Sequence, residues 1–178
     1  MKSPIDIIEA DHHFQTQLCD ILERIADDLP DQVDEKLCLT AIHALTVEMP
    51  IHHADEEQGL FPLLEQRALP EDNLLEIVAN LCMEHATDES FADELLESLK
   101  TLAEGQRLLN PDMVGYMLRG FFEGYRRHLV WENTIVLPLA RKRLINEDLK
   151  CLQEKMALHR RAAMKPGSGR GGHISTSY

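Results

Sequence analysis

Apolar residues recur at helical spacing along nearly the whole chain. Ile5, Ile8, Leu18, Ile21, Leu22 and Ile25 form one stripe, with Phe14 or Gln15 between them, and it stops before Pro30. A second helix is expected from near Val33 or Asp34, carrying Leu37, Ala41, Ala44, Leu45, Leu60, Leu63 and Leu64. Pro50 lies inside that span and predicts a kink or a break. Ala68-Leu69-Pro70-Glu71-Asp72 reads as a turn, and a third helix is expected from about Glu71 to Ala103 or Glu104. Asn110 then caps a fourth helix, with Pro111 at its first position, reaching about Leu144. A fifth, shorter helix is expected from about Asn146 to Met164. No segment alternates with period two. The pattern predicts an all-α, up-down-up-down antiparallel four-helix bundle over residues 1–145, with a short extra C-terminal helix over 146–164 packed on it. The Gly-rich stretch within 165–178 cannot bury a face and is expected to be a disordered tail.

Composition agrees with helices: aromatics make up 5% of the 178 residues. Net charge is −13, divided into −19 over residues 1–140 and +6 over 141–178. An acidic body of that kind excludes nucleic acid as the main partner, because phosphate binding needs a positive footprint. No apolar run is long enough for a membrane span, and the N-terminus lacks the apolar core of a signal peptide. The expected compartment is the cytoplasm. Cys19, Cys38, Cys82 and Cys151 form no Cys-x-x-Cys pair and read as reduced, mostly buried thiols.

An internal repeat changes the picture. Residues 52–63 (HHADEEQGLFPL) align with residues 128–139 (HLVWENTIVLPL), pairing His52 with His128, Glu56 with Glu132 and Pro62 with Pro138. Upstream, Asp11-His12 pairs with Glu84-His85. The two halves read as copies of one helical hairpin, and a pseudo-two-fold axis would bring both copies of each motif to the bundle centre. Within each half the His and Glu stand four apart, one turn along the same helix face, so imidazole and carboxylate address one point. Imidazole suits Fe, Zn, Cu and Ni, while two carboxylates can bridge a pair of hard cations. A lone His-x-x-x-Glu is common on a solvated helix. Two copies, each followed by Pro at the same offset and preceded by an acid-His pair, point to a metal site.

The runs His52-His53-Ala54-Asp55-Glu56-Glu57-Gln58-Gly59-Leu60-Phe61-Pro62 and His128-Leu129-Val130-Trp131-Glu132-Asn133 resemble the hemerythrin-like, or HHE cation-binding, domain. The resemblance covers about residues 4–145. It implies a four-helix bundle around an oxo- or hydroxo-bridged di-iron centre held by His12, His52, Glu56, His85, His128 and Glu132. Oxygen-carrying hemerythrins have a further His one turn after the lone His of the third helix; here that position is Glu89. With each iron about six-coordinate, two positions then stay open unless Glu89 is a seventh ligand. Two open positions favour redox chemistry with oxygen, peroxide or nitric oxide over reversible transport.

The leading expectation is a non-enzymatic module that binds or senses oxygen, nitric oxide or redox state at two iron ions, with no catalytic residue assigned. The alternatives are a redox enzyme or iron–sulfur-cluster-repair type protein acting on peroxide or nitric oxide, and a metal-storage protein using other divalent metals. A homodimer is compatible with either. His13 is the rival of His12, and the repeat alignment favours His12. His13 and His53 are expected to face solvent or a helix contact, and His43, His159 and His173 to be surface residues. Met49 and Met83 read as core, and of Glu48, Asp11 and Glu84 at least two are expected to be solvated. Replacing Glu57 is expected to leave metal content intact.

Overall fold

The computed structural model describes residues 2–164, all of whose regular structure is helical. The tail expected for 165–178, and His173 with it, lies outside the described residues. Helix α1 is Pro4–Asp28, and its first turn is closed by Ser3 N–H donating to Asp6 at 3.2 Å. Helix α2 runs through residues 35–67 in five pieces: Glu35–His43, a π-helical turn Ala44–Glu48, Met49–Ala54, a second π turn Asp55–Leu60, and Phe61–Arg67. Asp34 caps it, accepting from Lys36 N–H at 2.8 Å. Helix α3 is Leu74–Ala103. Helix α4 covers 111–143 as Pro111–Trp131, a π turn Glu132–Val136, and Leu137–Arg143, capped by Asn110 accepting from Met113 N–H at 3.1 Å. Helix α5 is Asn146–Ala163.

Two boundaries differ from the sequence pattern. The third helix does not start at Glu71: Pro70–Asp72 is a separate 3-10 turn, and Asn73 behind it is left-handed, at φ 48°. Asp72 is diverted to other work, accepting from Leu69 N–H at 2.8 Å and from the Arg143 guanidinium in two bonds of 2.8 Å. Pro50 neither breaks nor ends α2. The residue whose carbonyl a normal amide at 50 would use, Thr46, lies in the widened turn Ala44–Glu48, so the helix absorbs the missing N–H there.

The long helices share one layout. Two apolar clusters lie at opposite ends. The first contains Leu18, Leu22, Ile25, Ala41, Leu45, Leu95, Leu99, Leu118 and Phe121, and the second Ile5, Ile8, Leu60, Leu64, Leu74, Leu81, Leu137 and Ala140. Helices α1 and α3 pass from the second cluster to the first, and α2 and α4 pass the other way. Between the clusters each helix contributes buried polar residues, and these make a polar layer across the middle. Gln15, not Phe14, takes the inward position on α1. Met83 faces solvent rather than core. Arg119, Arg126 and Arg141 on α4 pair with Asp27, with Asp20 and Glu23, and with Asp6 and Glu9 on α1. Exposed pairs of this kind contribute about 0–1 kcal/mol each and set which helices are neighbours more than they stabilise.

Helix α5 is part of the second cluster, into which it sends Leu152 and Met156. It lies against the second π turn of α2, where Lys155 Nζ donates to Gln58 O at 2.7 Å. That carbonyl is free because residue 62, four positions on, is proline. Among the described residues no helix is long and apolar enough to cross a membrane, and the four cysteines are unpaired, two of them buried.

Gly59 is where α5 approaches closest: a Cβ there would stand 2.8 Å from Leu152 Cδ1, and Leu152 is fully buried. Gly59→Ala is therefore expected to destabilise by about 1–3 kcal/mol through overpacking. Leu152→Ala should cost about 2–5 kcal/mol through the cavity it leaves. Chemical denaturation of the double variant should give less than the sum, since the new methyl then occupies the vacated space. Strict additivity would mean that the two sites do not touch.

Candidate metal centre

Each half of the repeat delivers its donors from the same kind of local structure. His52 is in the last turn of Met49–Ala54 and Glu56 in the π turn that follows. His128 ends Pro111–Trp131 and Glu132 opens the matching π turn. A π turn inserts one residue into the helix, so the face presented before it and the face presented after it need not share one α-helical stripe. That lets the chain turn a carboxylate to the polar layer and still bring Leu60 and Leu64, or Leu137 and Ala140, onto the second apolar cluster. Pro62 and Pro138 follow the two turns and restart regular α-helix, each at its second residue.

The structure brings together His12, His52, Glu56, His85, His128 and Glu132, all buried. Glu56 lies 3.3 Å from His12 Nε2 and 3.4 Å from the Nε2 atoms of His52 and His85. Glu132 lies 3.2 Å from His12 Nε2, 3.5 Å from His85 Nε2 and 3.1 Å from His128 Nε2. Donor atoms of His12, His52, Glu56 and Glu132 lie within 4.8 Å of one another, as do those of His85, His128 and Glu132. His13, the rival of His12, is exposed on the outer face of α1.

The inward atoms are short of partners. The Nε2 atoms of His52, His85 and His128, Glu56 Oε2 and both oxygens of Glu132 are buried without a hydrogen bond. Buried polar atoms are almost always satisfied, and buried carboxylates demand compensation of their charge. Six orphaned atoms of the two donor types that bind cations, converging from three helices with His12 facing them from the fourth, fit metal ions: the His/Glu cluster is able to hold metal.

Titration carries the same tension. Burial opposes a charge on His12, yet the Glu132 and Glu56 carboxylates outweigh it and raise its pKa to about 10. His85 is raised to about 12, with burial overcome by Glu132, Glu56 and Glu57. At His52 burial wins and the pKa falls to about 4. Burial also pushes Glu56 and Glu132 up, but the surrounding imidazoles hold both below the ordinary carboxylate range.

Outside the cluster, the residue after each Glu reaches across to the lone His of the other half. His85 Nδ1 donates to Glu57 Oε1 at 2.8 Å, and His12 Nδ1 donates to Asn133 Oδ1 at 2.8 Å. Glu57 is therefore not a bystander, because it fixes which nitrogen of His85 keeps a lone pair. The repeat alignment contained this signal, since it sets Glu57 opposite Asn133. Glu84 faces His128 Nδ1 at 3.1 Å, with Asp88 at 3.5 Å, whereas Asp11 and Glu48 pair with Arg160 and His43.

His53 takes the helix-contact alternative of the sequence reading: it is buried and stacks on His85. Glu89 stands outside the two donor groups, and its Oε1 accepts from His53 Nδ1 at 3.2 Å. His159 is not a plain surface residue, because its Nδ1 donates at 2.7 Å to Asp55, a fully buried carboxylate that Arg160 also holds. Asp55 directly precedes Glu56, so α5 steadies the turn that carries a donor. Tyr125 lies against His128 at 5.7 Å with its ring tilted, Phe61 stacks on His85 at 6.0 Å, and the two rings wall the layer. Trp131 stays 45% exposed and does not.

A family model described as the hemerythrin HHE cation binding domain matches residues 3–140. No curated protein matches the chain.

At neutral pH the metal-free cluster keeps protons on His12 and His85, and a metal must displace them. Groups whose pKa is raised hold their protons more completely as pH falls, so zinc affinity is expected to drop on acidification. Calorimetry at pH 7 in buffers of different ionisation enthalpy should count about two protons released. Release of none would show these imidazoles already neutral. Glu57→Ala and Asn133→Ala are each expected to weaken zinc binding by about 10–100-fold, read by chelator competition.

Proposed function

The chain belongs to the hemerythrin HHE cation-binding family, and on that footing we propose that it is a di-iron protein that binds or senses oxygen, nitric oxide or redox state. The single observation that carries the reading is the convergence of four imidazoles on two buried carboxylates, with six of their inward atoms left without a hydrogen bond. Two separate carboxylates, each within reach of imidazoles from both halves, suit a pair of ions better than one. The alternation of the helices between the two apolar clusters supports an up-down-up-down antiparallel bundle over residues 1–145, with 146–164 laid on it.

Iron ions bound here would supply paired Lewis-acid centres that change oxidation state. The protein's own groups do the rest. Glu56 and Glu132 would hold the ions together with the imidazoles of His12, His52, His85 and His128. Glu57 and Asn133 fix the tautomers of His85 and His12, keeping Nε2 free to donate. Phe61 and Tyr125 place apolar rings against His85 and His128. On the other side a cavity of about 500 Å³ is lined by Gln15, Ile51, His52 and Arg160, and offers small molecules a way in.

Metal analysis and the visible spectrum of aerobically purified protein test the proposal. Two iron ions per chain with near-ultraviolet charge-transfer bands are expected. Zinc alone, at one per chain, would overturn it. Glu56→Ala and Glu132→Ala should each lose both metals, because either leaves the pair undercompensated. Catalytic consumption of added peroxide or nitric oxide would move the reading from sensor to enzyme.

A further inference from the structure

The four imidazoles of the cluster are backed unequally. Asn133 Oδ1 accepts from His12 Nδ1 at 2.8 Å, and Glu57 Oε1 accepts from His85 Nδ1 at 2.8 Å. Glu84 and Asp88 lie 3.1 and 3.5 Å from His128 Nδ1. His52 Nδ1 is buried and has no hydrogen bond. A histidine that gives one nitrogen to a cation donates its other N–H to an oxygen, which fixes both tautomer and ring orientation. His52 lacks the group that the other three possess.

The internal repeat indicates where such a group sits. His52 corresponds to His128, so the residues of α3 that face His128 have counterparts on α1. Asp11 corresponds to Glu84, one residue before the lone histidine, and Gln15 to Asp88, three residues after it. Asp11 is engaged elsewhere, its Oδ2 accepting from Arg160 of α5 at 2.8 Å. Gln15 remains. It is 1% exposed, its Oε1 is buried without a hydrogen bond, and it lines the same cavity as His52. A residue kept there for packing alone would be apolar, because a buried acceptor without a donor is unfavourable. One orphaned acceptor and one orphaned ring nitrogen beside a single cavity complement each other.

We propose that Gln15 is the positioning residue of His52, its Oε1 accepting the Nδ1–H when a metal occupies Nε2. This rests on the metal-binding reading above. The pairing puts neutral amides behind His12 and His52 and carboxylates behind His85 and His128, the same division as between the two groups of donors.

The test uses the full chain, labelled uniformly with ¹³C and ¹⁵N and loaded with zinc, so that each ring is assigned through its own Cβ. The His52 Nδ1–H is expected as a downfield proton protected from exchange, with a cross-relaxation peak to the Gln15 side chain. Gln15→Leu should move that proton upfield, expose it to exchange, and weaken one of the two zinc ions by about 10–100-fold while leaving the other unchanged. Gln15→Glu, which keeps an acceptor in the same place, should restore signal and affinity, whereas a packing role would be met equally well by leucine. If the His52 Nδ1–H and both affinities are the same in wild type and Gln15→Leu, this inference fails and the metal reading stands. If the wild-type chain takes up no zinc, both fail. Should Gln15→Leu not fold, the wild-type cross-relaxation peak decides: its presence supports the pairing and its absence overturns it.

Discussion

Two carboxylates buried at the centre of a helical protein set the terms for everything around them. Glu56 and Glu132 are fully buried, and charge in that position is unfavourable by several kcal/mol unless something opposes it. The imidazoles oppose it in the absence of metal by retaining protons, and cations would do so more completely. From this follow the unpaired inward nitrogens, the acids and amide stationed behind the rings, and the apolar clusters that keep water from both ends of the layer. The π turns belong to the same account, because they let one helix serve both the layer and the core beyond it.

Much of this was legible in the residues. The duplicated His-x-x-x-Glu with Pro at a fixed offset placed His52, Glu56, His128 and Glu132 on one face each, and helical spacing is a short-range property that sequence displays directly. The lone histidines followed from the repeat. The cap at Asn110 was readable for the same local reason. What escaped was decided by contacts between distant segments. The inward position of His53 depends on a neighbouring turn widening, and its partner Glu89 comes from another helix. Asp55, an acid among acids, gave no sign that His159 and Arg160 would cover it from a helix about a hundred residues later. Glu71 failed to begin α3 because its neighbour Asp72 was claimed by Arg143.

Helix α5 shows the limit of motif reading in another way. The family match ends at residue 140, yet α5 supplies core side chains, covers a carbonyl freed by Pro62, and neutralises the acid beside Glu56. Part of the basic excess of the C-terminal segment, Lys155 and Arg160, meets these acceptors. The acidic body and basic end are two parts of one electrostatic fit.

The crosswise grip of Glu57 on His85 and of Asn133 on His12 has a consequence for the symmetry of the molecule. Neither hairpin secures its own lone histidine, so one hairpin alone cannot present a finished set, and two such units would complete each other face to face. Fused in one chain, the copies have been free to drift apart, and they have done so at this pair. A carboxylate behind His85 draws its ring toward imidazolate and makes it the stronger electron donor, while the neutral amide behind His12 does not. The duplicated scaffold is nearly symmetric in shape but polarised in charge, with an acid behind one lone histidine and a neutral amide behind the other.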